Sequence, residues 1–149
     1  MKRFLLVLIL VAVPAVAQVA DGGALYKRCA ACHLPSGAGV PGAFPPLQSD
    51  FLSLAKKPEG RRYLALVVVK GLSGPLVIDG KTYRGVMPAQ SALNDAEIAA
   101  VLNHVGTTIA KGDSGFRAFD EAEVTKARKS GEALSAADVA ALHAGQGPK

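Results

Sequence analysis

Cysteine is scarce in this chain: 149 residues hold two, with three histidines beside them. That is too few ligands for a cysteine-rich zinc site. Aromatic residues make up 5%, so the stacking surfaces of a nucleic-acid binder lack their material. Past the initiator, methionine is reduced to Met87, and asparagine to Asn94 and Asn103. Few asparagines and nine prolines point toward a thermally robust protein. Charge is missing from two stretches, residues 31–49 and 85–94, which contain no Lys, Arg, Asp or Glu. After residue 17, no segment approaches the ~20 apolar residues of a membrane-spanning helix.

The two cysteines sit together, in Cys29-Ala30-Ala31-Cys32-His33. Two thiols three residues apart can add across the two vinyl groups of one haem. A histidine directly after the second can then bind the iron. The motif therefore predicts one covalently bound haem c, with His33 as an axial ligand. A thioredoxin-like dithiol would open a helix after an apolar strand. Here the motif follows the helix-like run 23–28. A plain disulfide has no use for His33.

The amino terminus agrees. Lys2 and Arg3 precede an unbroken apolar run over residues 4–13, then Pro14 and Ala15-Val16-Ala17. This predicts a secretory signal peptide over residues 1–17, with an uncleaved anchor as the competing reading. No cysteine near the cut offers a lipidation site. A haem domain over 18–110 and a C-terminal extension over 111–149 would follow, with no membrane span in the mature form.

Met87 is the expected second axial ligand. It lies in Gly85-Val86-Met87-Pro88-Ala89-Gln90, a loop ahead of a helix rather than a core stripe, and Pro88 stiffens it. His104, inside an amphipathic helix, and His143, near the tail, read instead as packed or solvated histidines. Coarse periodicity predicts helices over 21–32, 51–58 and 59–71. Leu76-Val77-Ile78 and Lys81-Thr82-Tyr83 flank Asp79-Gly80, a two-residue hairpin signal. Asn94 and Glu97 form a capping-box pair ahead of a helix whose Ile98, Val101, Leu102 and Val105 share one face. That face is expected to cross the first helix near Leu25 and Tyr26. Helical patterns over 120–129 and 135–143 complete the chain, with Phe116 and Phe119 as anchors for the connecting segment.

These residues together resemble class I cytochrome c over about 21–110. The resemblance rests on Cys29, Cys32 and His33, on Pro45-Pro46-Leu47, on the Met87 loop and on the last helix of the domain. It is closer still to the small cytochromes c of thermophilic aerobic bacteria that donate electrons to a terminal oxidase. Those share the run 40–47, Tyr83-x-Gly85-Val86-Met87, residues 97–104 and an extension like that beginning at Gly115. The resemblance implies a mainly α fold around one haem, with a small β-hairpin and a C-terminal helical extension. It also implies that the Pro45 carbonyl accepts the second N–H of His33, which fixes the ring and strengthens it as a donor. Tyr83, Arg61 and Arg62 become candidates for the haem propionates, because buried carboxylates need donors.

The expected function is an exported, periplasmic electron carrier, not an enzyme. It would be a monomer taking electrons from a quinol-oxidising complex and passing them to a terminal cytochrome c oxidase. The alternatives are an electron-transfer subunit of a dehydrogenase or reductase, and an open-site haem sensor or peroxidase. The last requires Met87 to be off the iron. Residues 18–94 carry nine basic and four acidic side chains, and residues 95–149 six and eight. The two uncharged stretches hold both expected axial ligands. A docking face with an uncharged centre and a basic surround follows.

Overall fold

The computed structural model describes residues 20–144; the predicted leader over 1–17 and the last five residues lie outside the described residues. Asp21 opens α1 (Gly22–Tyr26), its carboxylate accepting from the Gly23 and Ala24 N–H groups. The single helix expected over 21–32 is two pieces, α1 and α2 (Ala30–His33). Arg28 bonds back to Leu25 and Cys29 to Tyr26, three residues rather than four. Those tighter turns break the α-helical ladder ahead of the cysteines. A loop over 34–50 follows, pinned by paired bonds between Val40 and Phe44.

α3 (Phe51–Ala55) and α4 (Pro58–Lys70) come next. The first is shorter than the expected 51–58. Pro58 forces Lys57 into an extended conformation, φ −109° and ψ 138°, and then starts α4 at its first position. β1 (Leu76–Ile78) and β2 (Lys81–Tyr83) pair antiparallel across Asp79-Gly80, in the register Leu76 to Tyr83. Both turn residues have positive φ, 50° and 72°, as the two-residue hairpin requires.

Asn94 caps α5 (Asp95–His104) in a full capping box with Glu97, and a π-helical turn (Val105–Ile109) continues it. Ile98, Val101, Leu102 and Val105 are all buried in the main core with Tyr26, and Leu25 packs against it. α6 (Glu121–Ser130) and α7 (Ala136–His143) close the chain. They lay Val124, Ala127 and Val139, each at most 3% exposed, into the same core. The fold is mainly α, with one small hairpin. Among the described residues, no helix is long and apolar enough to cross a membrane.

Candidate haem site

α2 and the loop behind it set one wall of the site. The His33 N–H bonds to the Cys29 carbonyl at 2.9 Å, and Leu34, at φ 64°, ends the helix directly after the histidine. His33 is 7% exposed, and its Nδ1 lies 3.0 Å from the Pro45 carbonyl. A carbonyl can only accept, so Nδ1 carries the proton and Nε2 keeps its lone pair. Burial pulls the imidazole below its ordinary value, against a smaller raising effect of the Pro45 bond. The ring therefore stands neutral, as a metal ligand must.

Gly39 makes this geometry accessible. Its φ is +67°, and a Cβ there would lie 2.3 Å from the Phe44 carbonyl oxygen and 2.6 Å from that of Pro45. Its N–H bonds to the His33 carbonyl at 3.0 Å. Gly39 thus bonds to the His33 side of the contact and leaves room for the Pro45 side.

The opposite wall comes from the segment after the hairpin. Leu72 and Met87 exchange both backbone bonds at 2.9 Å, tying the Met87 loop to the end of α4. Gly85 donates to the Ala43 carbonyl at 2.9 Å, which joins this loop to the histidine side. Two adjoining cavities lie between the walls. They share Cys29, His33, Pro45, Leu72, Leu76 and Met87 as wall residues. Cys32 and Tyr83 line the first cavity, while Phe51, Leu54, Val68 and Leu102 line the second. The lining is mostly apolar, as a macrocycle's faces demand.

The cysteines are unbonded to each other and partly buried. Burial raises the Cys29 thiol above its ordinary value, partly opposed by Arg28. A redox-active dithiol needs the reverse shift. Among the described residues, no three His, Cys, Asp or Glu side chains gather as a cage for a bare metal ion. A thiol pair, one neutral histidine and an apolar slot fit a covalently held haem.

Comparison with known proteins agrees. The family model described as "Cytochrome c" matches residues 19–108. This chain belongs to the cytochrome c family. It is 46% identical over 130 residues to a cytochrome c-552 of Thermus thermophilus, covering 86% of this chain and 87% of that one. A second Thermus thermophilus cytochrome c-552 is 47% identical over 111 residues, covering 73% and 85%. Proteins of this family carry covalently attached haem c, and Cys29 and Cys32 of this cytochrome are consistent with the attachment motif.

The expected propionate residues divide. Tyr83 is buried on the cavity wall. Arg61 and Arg62 are not on either wall. Arg61 is buried under the C-terminal extension, with Nε and Nη2 at 2.5 and 2.6 Å from the two Glu123 carboxylate oxygens. Arg62 bonds to the Ser130 hydroxyl and carbonyl at 2.7 and 3.0 Å. Both guanidinium groups bond to α6 instead. Three polar wall residues were missed in the sequence: Asp50, Tyr63 and His143. Tyr63 shares an apolar helical face with Leu64 and Val67, and His143 follows the fully buried Val139 by one helical turn. Those spacings are the local signals that they face inward. A separate, larger groove runs past Arg61, Arg62 and Glu123 and contains neither cysteine nor histidine.

Proposed function

We propose that this cytochrome is a soluble periplasmic electron carrier whose iron is held by His33 and Met87, with Cys29 and Cys32 as the thioether attachments. It passes electrons to a terminal cytochrome c oxidase. The single observation that carries the reading is the meeting of the Cys29–His33 motif and Met87 on the walls of one apolar slot. When bound, the haem supplies the one-electron Fe(III)/Fe(II) couple.

The chain's own residues set the conditions. The Pro45 carbonyl orients the His33 ring and increases its donor strength. The Leu72–Met87 backbone pair fixes the loop from which the thioether points, and a thioether favours the ferrous state. Two axial side chains leave no coordination position for oxygen or peroxide, which favours a carrier over catalysis. Tyr83 is a donor available to a propionate. Val40 and Val86, 40% and 63% exposed, flank the bonded pair Ala43–Gly85. Together they give the uncharged stretches an apolar rim for partner contact. Residues 1–17 serve as the export leader, 18–110 as the haem domain, and 111–149 as a C-terminal extension whose described residues pack on it.

Optical spectra of haem-loaded protein, beside Met87→Ala, test this. The wild type is expected to show a weak far-red sulfur-to-iron band when oxidised, and the variant to lose it. A high-spin, ligand-accessible wild-type spectrum would overturn the ligation and move catalysis or gas sensing to the front.

A further inference from the structure

One buried ionisable cluster on the cavity wall has no part in holding the iron. Asp50, at the head of α3, and His143, in the last turn of α7, meet across 93 positions of sequence. His143 Nε2 lies 2.6 Å from Asp50 Oδ2, and the two side chains are 7% and 10% exposed. The Tyr63 ring packs on the imidazole with centroids 5.4 Å apart. Burial, and then the Asp50 charge, raise the Tyr63 hydroxyl far above its ordinary value. All three line the cavity that Cys29, His33 and Met87 also line.

The remaining charges near this cluster are committed elsewhere. On α4, Arg61 is paired with Glu123, Arg62 with Ser130 and Lys70 with the Glu132 carbonyl, while Glu59 is exposed. On α3 and the turn after it, Lys56 and Lys57 are exposed. On α7, Asp138 is bound to Ser135 at the far end of the helix. Tyr26, also on the wall, donates to the Leu34 carbonyl. Among the described residues, Asp50 and Tyr63 are thus the ionisable groups facing His143.

We propose that Asp50 and His143 form a redox-linked proton-binding site, so that the protein takes up a proton as it gains an electron. The proposal rests on the haem reading above. The electron enters from a redox partner and removes one unit of positive charge from the cavity. In a poorly screened interior that change favours the protonated form of a nearby base. An ionised Asp50 can only accept, so Nε2 carries a proton toward it and Nδ1 is the nitrogen left to take another. The arriving solvent proton then binds Nδ1. Oxidation returns the electron to the acceptor and the proton to solvent. Histidine is the side chain suited to this exchange near neutral pH. The site also gives the C-terminal extension a part in the redox chemistry, because α7 delivers the imidazole.

The test is the midpoint potential of haem-loaded protein, read spectroelectrochemically from about pH 5 to about pH 9, the range that brackets histidine titration. The potential is expected to fall with rising pH within a window and to level on either side. The steepest slope for one proton per electron is a tenfold change in equilibrium per pH unit, about 59 mV for a one-electron couple. His143→Gln should flatten the curve. Asp50→Asn should move the window to lower pH, because the imidazolium loses its carboxylate.

A wild-type potential independent of pH would overturn the proposal. So would a slope that persists in His143→Gln, which would assign the proton to the haem carboxylates. Should the variants not fold, proton NMR of wild-type His143 decides: a higher titration midpoint in the reduced state supports the site, and equal midpoints overturn it. Failure of the haem reading is separately visible, as a missing sulfur-to-iron band before any potential is taken.

Discussion

Arg61 is where the extension is fastened, and replacing it by methionine should cost about 3 kcal/mol of stability. The guanidinium is 3% exposed and makes two bonds to Glu123. It donates to the carbonyls of Ala55 at 3.3 Å, Arg117 at 2.9 Å and Ala118 at 3.1 Å, and lies 3.7 Å above the Phe119 ring centre. Removing one partner of a buried ion pair costs ~3–5 kcal/mol. Glu123 is 22% exposed and keeps Arg117 at 3.0 Å, so its charge is not orphaned and the low end applies. Glu123→Gln should cost less, ~1–2 kcal/mol, since Arg61 keeps three carbonyls and the aromatic face. The expected drop in Tm for Arg61→Met is roughly 6–12 °C, at ~2–4 °C per kcal/mol for a chain this size.

Denaturant unfolding followed by far-UV circular dichroism and by haem absorbance would measure both variants. The same pair predicts a pH dependence. The Arg61 hydrogen bonds hold the Glu123 carboxyl below its ordinary value in the folded state. The stability it adds is present above the ordinary carboxylate range and is lost as pH falls through the lowered folded value. Glu123→Gln should flatten the acid limb of the stability curve. A loss below ~1 kcal/mol for Arg61→Met, or equal losses for the two variants, would refute the reasoning.

Two further expectations concern the haem loop and docking. Gly39→Ala should destabilise the holoprotein by more than the ~1 kcal/mol of strain that a positive φ imposes, since it displaces the Pro45 carbonyl. It should also raise the midpoint potential, as His33 becomes a weaker donor. Gly42→Ala is the control, because φ there is +77° but a Cβ meets nothing within 4 Å. Equal effects at the two glycines would refute the collision. Reduction of an acidic-faced oxidase should slow only moderately as salt rises, because the rim holding Val40 and Val86 is uncharged. A steep loss of rate, measured by stopped flow, would instead make charge the main term in docking.

What the sequence revealed was local. The Asp79-Gly80 turn set the hairpin register, the Asn94–Glu97 box set the start of α5, and the Cys29–His33 spacing set the attachment motif. Each signal is complete within a few residues. The break between α1 and α2 was hidden because bonds three apart and bonds four apart draw on the same residues. Arg61 and His143 were hidden for another reason. Arg61 finds Glu123 62 residues away, and His143 finds Asp50 93 residues away. A basic side chain at a helix start carries no mark saying which of several distant acids it will meet.

α4 explains why those distant pairings exist. Leu64, Val67 and Val68 face the haem cavity, as does Tyr63. Yet Ala65 and Leu66 are fully buried too, as is nearly all of Arg61. A helix with apolar residues on more than one side must be covered on each of those sides. The cavity side would be filled by haem; Leu66 instead meets Gly131, where a Cβ would lie 2.3 Å from its Cδ2. Polar links beyond α4 also bind that cover. Asn103 exchanges two bonds with the Phe119 backbone, at 2.9 and 2.6 Å. Asp95 takes Arg128 at 2.7 Å, and Asp50 takes His143. The extension is therefore the second wall of α4. Stripping it away would expose the helix that forms the back of the haem slot.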